Sequence, residues 1–65
     1  MITLFTNNTE ECNILEKKLL EKGITYVRNE NIVLMKERGF LALPKLEVSG
    51  NVYGFNEAMR WADRV

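Results

Sequence analysis

Apolar positions along the chain follow two different spacings. Ile2–Phe5 is a short block that alternates little and is read as a buried strand. From Glu10 onward the spacing becomes helical: Cys12, Leu15 and Leu19 share one face, Leu20 lies at its edge, and Lys17, Lys18 and Glu21 point away. Ile14 falls off that face, as an exposed isoleucine ordinarily can. Asn8 or Thr9 is placed to cap this helix, and Glu10 and Glu11 suit the positive end of its dipole. Gly23 is a natural residue for the helix exit, with Ile24 folding back on the last turn. Residues 24–27 read as a second strand. Strand, helix and strand joined by short turns demand a parallel pair with a right-handed crossover. Asn29 is placed to cap a short second helix over residues 30–38, closed by Gly39. Residues 44–48 alternate, with Leu46 and Val48 on one face and Lys45 and Glu47 on the other; Ser49, Gly50 and Asn51 turn the chain into a short return strand, Val52 and Tyr53. Gly54 breaks that strand. Asn56 is expected to cap a last helix whose stripe is Ala58, Trp61, Ala62 and Val65. The order is β-α-β-α-β-β-α, an α/β domain over residues 1–65 with no repeat, linker or low-complexity stretch.

Composition narrows the chemistry. Nine basic residues balance nine acidic ones, so the chain lacks the basic excess of a nucleic-acid binder. No apolar run is long enough to span a bilayer, and no signal-peptide pattern precedes the first strand. One cysteine forms no internal disulfide, whereas a secreted domain this small is usually stapled by several, so the expected compartment is the cytoplasm. Histidine is absent, which removes the usual general base and the commonest metal ligand. Cys12 alone does not make a structural zinc site, so no metal is expected.

Three stretches carry a resemblance. "GFLALP" (residues 39–44) places the only proline, Pro44, at the start of the third strand; "YGFNEAM" (residues 53–59) turns from the last strand into the last helix; "TNNTEEC" (residues 6–12) joins the first strand to the first helix. On the matching element order these resemble the glutaredoxin branch of the thioredoxin superfamily, and most of all the small glutaredoxin-like electron donors of ribonucleotide reductase. The resemblance covers the whole chain. It implies a thioredoxin-like fold, a four-stranded mixed sheet in the order 2-1-3-4 with three helices, and a cis-proline at Pro44 facing the active-site turn.

The departure lies in the motif that carries the family's chemistry. Glutaredoxins have Cys-x-x-Cys at the first helix. Here Cys12 falls on the second cysteine and Thr9 on the first, with the preceding loop one residue short. The usual dithiol cycle is therefore excluded. Two functions remain open: thiol-disulfide exchange or a glutathione-linked role through Cys12 alone, or a non-catalytic module that holds a peptide or protein in the groove between Thr9, Leu43 and Phe55. The first makes glutathione a possible co-substrate, with no other cofactor. Its partner is a thiol- or disulfide-bearing protein or glutathione, the protein being a monomer with no nucleic-acid or membrane partner.

Each candidate residue also has a plain structural reading. Cys12 shares a face with Leu15 and Leu19 and reads first as a small buried hydrophobe, with Glu10 and Glu11 opposing its ionisation. Thr9 reads first as a helix cap. Peroxiredoxins pair a Thr-x-x-Cys arrangement with an arginine over the sulfur, and neither Arg28 nor Arg38 is visibly placed for that. The resemblance makes Leu43, Pro44, Phe55 and Asn56 substrate-binding: the Leu43 backbone would pair with an extended ligand, and the start of the last helix would receive the glutathione carboxylate. Asn7 or Asn8 stands where glutaredoxins often carry a basic residue.

Overall fold

The computed structural model describes all residues 1–65. Seven elements follow in the expected order: β1 (Ile2–Phe5), α1 (Glu10–Glu21), β2 (Val27–Asn29), α2 (Ile32–Glu37), β3 (Lys45–Val48), β4 (Asn51–Tyr53) and α3 (Phe55–Arg64). The strands form one mixed sheet in the order β2-β1-β3-β4, with β1 parallel to β2 and antiparallel to β3, and β3 antiparallel to β4. No helix is long and apolar enough to cross a membrane.

Strand alternation divides the side chains between two faces. Leu4 pairs with Leu46 on one face, where both are fully buried with Leu15 and Leu19 of α1 and Ala58 and Ala62 of α3. The small alanines let α3 come close to the sheet and to α1, while Tyr53, Phe55, Met59 and Trp61 fill the margin. Phe5 and Glu47 fall on the other face. There Phe5 meets Phe40 edge-on at 5.0 Å, Arg38 lies over both rings, and the same guanidinium pairs with Glu47 at 2.8 Å. Residues just after α2 thus cover the second face of the sheet.

Both α1 and α2 end in the same device. Gly23 and Gly39 take φ of 68° and 74°, a region that costs glycine little. Their N–H groups bond to Leu20 and Lys36, and the next residues, Ile24 and Phe40, bond back to Leu19 and Met35. At the hairpin, Ser49 and Gly50 both have positive φ, the form whose twist matches antiparallel strands.

Four local expectations are corrected. The second strand is residues 27–29, not 24–27: Ile24 is held in the α1 exit and packs on the core, so the chain runs on before it reaches β1. Asn29 does not cap α2. It is paired with Phe5 in the sheet, and Asn31 is the cap, its Oδ1 accepting from Leu34 N–H at 3.1 Å. Asn56 does not cap α3, which begins at Phe55 behind an extended Gly54; Ala58 N–H bonds to the Gly54 carbonyl at 2.8 Å. Val65 ends that helix and is exposed, outside the stripe.

Tyr26, beside β2, reports on the packing of α1 against the sheet edge. Its hydroxyl donates to Glu16 at 2.6 Å. Burial, with the hydrogen bond and the charge of Glu16, pushes its pKa up to about 12, against a smaller pull from Arg28. A raised folded-state pKa favours the protonated phenol, so its contribution is complete below about pH 10 and is lost as pH rises toward about 12. Solvent screening leaves a contribution of about 1–2 kcal/mol. Urea unfolding across that interval is expected to show this loss in the wild type. In Tyr26→Phe the loss should be smaller by that amount; equal pH slopes in the two proteins would contradict it.

Candidate functional site

The pairing register gathers the expected site residues at one end of the sheet. Phe5 pairs with Lys45, so the turn that leaves β1 at Thr6 lies beside Pro44. Thr6 N–H bonds to the Asn29 carbonyl at 3.1 Å, which brings the start of α2 to the same end. Leu46 pairs with Tyr53, which places Gly54 and Phe55 there as well. The Leu43–Pro44 peptide is cis, as the resemblance implies, and Pro44 is buried. No enclosed cavity lies at this end of the sheet.

Cys12 is the third residue of α1 and is fully buried as a free thiol. Its surroundings are polar. Thr9 Oγ1 donates to Sγ at 3.2 Å, and Sγ–H donates to Asn7 Oδ1 at 3.3 Å. Burial pushes the Cys12 thiol up, but hydrogen bonds from the Thr6 and Thr9 hydroxyls and the Asn7 and Thr9 backbone outweigh it and hold the thiol below its ordinary value. Glu10 and Glu11 are exposed and take no part in that balance. The opposition to ionisation expected of these two carboxylates comes instead from burial, and the short-range donors overcome it.

Thr9 occupies the N-cap position of α1, but its side chain makes no cap hydrogen bond. Its hydroxyl is turned to Cys12 instead. A hydroxyl one turn before a buried sulfur reaches either the free amide of the helix or the sulfur, and here the sulfur holds it.

The remaining site residues divide by exposure. The backbone N–H and C=O groups of residues 41–43 make no hydrogen bond within the protein. Leu43 is half-buried, and Leu41 is 100% exposed. Phe55 is half-buried against the core, and Asn56 is exposed on the first turn of α3. Arg38 is committed to the far face with Phe5, Phe40 and Glu47. No group of three or more histidine, cysteine, aspartate or glutamate side chains is gathered as a metal site would require.

Three residues take parts in the site beyond those read from the sequence, where Asn7 stands only in place of a basic residue and Arg28 is weighed only as an arginine over the sulfur. Thr6 is buried on the same strand phase as Leu4, a signal available in the alternation of β1. Asn7 reaches Cys12 across five positions of irregular chain. Arg28 reaches the turn from another strand, which local periodicity does not encode. Compared with models of known protein families, with curated proteins and with solved structures, the chain finds no match.

Proposed function

We propose that the protein is a glutaredoxin-like member of the thioredoxin superfamily that performs one-thiol disulfide exchange through Cys12. The reading is carried by one observation: hydroxyl and backbone donors surround Cys12 Sγ and hold the thiol below its ordinary value. Element order and the 2-1-3-4 sheet are compatible with it. In the reaction the Cys12 thiolate attacks one sulfur of a disulfide, the disulfide bond breaks, and its other sulfur leaves as a thiolate that takes up a proton. A second thiol, such as glutathione, then displaces Cys12 from the mixed disulfide. Burial of Sγ makes this slow and selective, because the turn over the sulfur must open before an inline attack.

Reduction of a small mixed disulfide by glutathione tests the proposal. Catalysed turnover is expected from the wild type, falling at least about tenfold in Cys12→Ser, because a serine hydroxyl is not a comparable nucleophile near neutral pH. Equal rates in the two proteins, or none above background in either, would remove the redox reading.

A second reading is favoured by the unpaired backbone of residues 41–43 and the exposed Leu41 beside it. It makes this end of the sheet a peptide-holding surface, with the partner's main chain pairing beside Leu43 and Phe55 bordering the contact. That function needs no reactive sulfur and survives Cys12→Ser.

A further inference from the structure

A chain of polar side chains ties the turn over Cys12 to α1 and β2. Asn8 stands in that turn with φ of 62°, a region that asparagine enters at some cost. Its amide is held from two sides: Oδ1 accepts from Arg28 Nη2 at 2.5 Å, and Nδ2 donates to Glu30 Oε1 at 2.6 Å. Arg28 is itself anchored. Its Nε lies 2.9 Å from Glu16 Oε2, which also accepts from Tyr26, and its Nη2 lies 3.5 Å from Glu30 Oε1. Asn8 N–H donates to Thr6 Oγ1 at 3.1 Å, closing the turn on itself. The residues on either side of Asn8 are Asn7 and Thr9, and both act directly on Cys12 Sγ.

We propose that Arg28 is a positioning residue for Cys12: through Asn8 it holds the turn of residues 6–9 closed over the sulfur, fixing the donors around Sγ and limiting access to it. Arg28 makes no hydrogen bond to the sulfur, so it acts through the backbone position of its neighbours. Guanidinium geometry suits the task. One planar group bonds Glu16 on α1 and Asn8 in the turn at the same time, which the single ammonium of a lysine does poorly. The contacts lie near the surface, where individual ion pairs are weak. They therefore bias a local opening rather than weld the turn shut. This deepens the thiol reading of the site and rests on it for its biological use; the clamp is a property of the fold in either case.

Alkylation of Cys12 by iodoacetamide in the full chain, followed by mass across a pH series, tests the clamp. Arg28→Ala and Asn8→Gly are expected to raise the native labelling rate about threefold to tenfold. Asn8→Gly keeps the positive φ accessible, so it removes the amide contacts without straining the turn. Both variants should also move the thiol's titration midpoint upward, since the donors on the sulfur are less well fixed. Arg28→Lys should recover part of both effects. Lys18→Ala is the control: it removes the Lys18–Asp63 ion pair, away from the turn, and should leave the midpoint unchanged. Wild-type rates and midpoints in Arg28→Ala and Asn8→Gly would overturn the proposal. So would faster labelling that merely follows lost stability, as in Lys18→Ala, with no change of midpoint. Should the wild type catalyse no disulfide exchange while these labelling changes appear, the redox function falls and the clamp stands; catalysis with unchanged labelling removes the clamp and leaves the redox function in place.

Discussion

Leu15→Ala is expected to destabilise the fold by about 3 kcal/mol, a large share of the roughly 3–10 kcal/mol that a chain of this length holds. Leu15 is fully buried at the centre of the cluster that joins α1, α3 and the sheet. Removing its branched end leaves a cavity between elements that cannot close without moving α1. Cys12 and Leu19 share that face, so the loss reaches the site as well. Urea unfolding should show a lower midpoint, and Cys12 should label faster in native buffer through global unfolding. Leu20→Ala sets the scale: Leu20 is 65% exposed, and its truncation should change stability by no more than about 0.5 kcal/mol. Similar losses in the two variants would mean that the core does not lie where the packing puts it.

What the sequence disclosed and what it hid divide along the range of the interactions. The buried face of α1, the glycine exit at Gly23 and the alternation of Leu46 and Val48 with Lys45 and Glu47 all follow from neighbours within one or two turns. These local rules were enough for element order. They failed where a residue had two local uses and a distant contact chose between them. Asn29 could cap a helix or extend a strand, and pairing with Phe5 made it a strand residue. Ile24 has strand character, but the α1 exit and the core hold it outside β2. Thr9 could bond the helix amides or the sulfur, and the buried position of Cys12 decided for the sulfur. The candidate site was legible as a turn containing Thr9 and Cys12. The support for it from Arg28, twenty positions from Asn8, was not, because no periodicity connects the two.

Thr9→Cys is expected to give the protein an internal disulfide that it cannot now form. The wild-type hydroxyl of Thr9 lies 3.2 Å from Cys12 Sγ, so a sulfur built at the same position starts near bonding range. A disulfide needs about 2.05 Å between sulfurs, and the longer carbon–sulfur bond with a small side-chain rotation supplies most of that approach. The cost is lower than a cap mutation would suggest, because the Thr9 side chain makes no cap hydrogen bond. What is lost is one donor to Cys12, and the new thiol can take over that role. At the N-cap the new thiol lies closer to the free amides and the dipole of α1 than Cys12 does, which favours its thiolate. With oxidised glutathione as oxidant, the introduced thiol forms a mixed disulfide, releasing reduced glutathione. Cys12 then attacks the protein-side sulfur and releases the second glutathione. Two electrons pass from the two thiols to the oxidised glutathione. The oxidised variant should lose both free thiols, remain a single chain on a non-reducing gel, and reduce insulin when a reductant recycles it; Cys12→Ser in the same background should abolish the internal bridge and the insulin reduction. A variant that folds but keeps both thiols, or crosslinks only between chains, would show that the side chain at position 9 is not directed at the Cys12 sulfur, and the glutaredoxin-like reading would lose the geometry on which it rests.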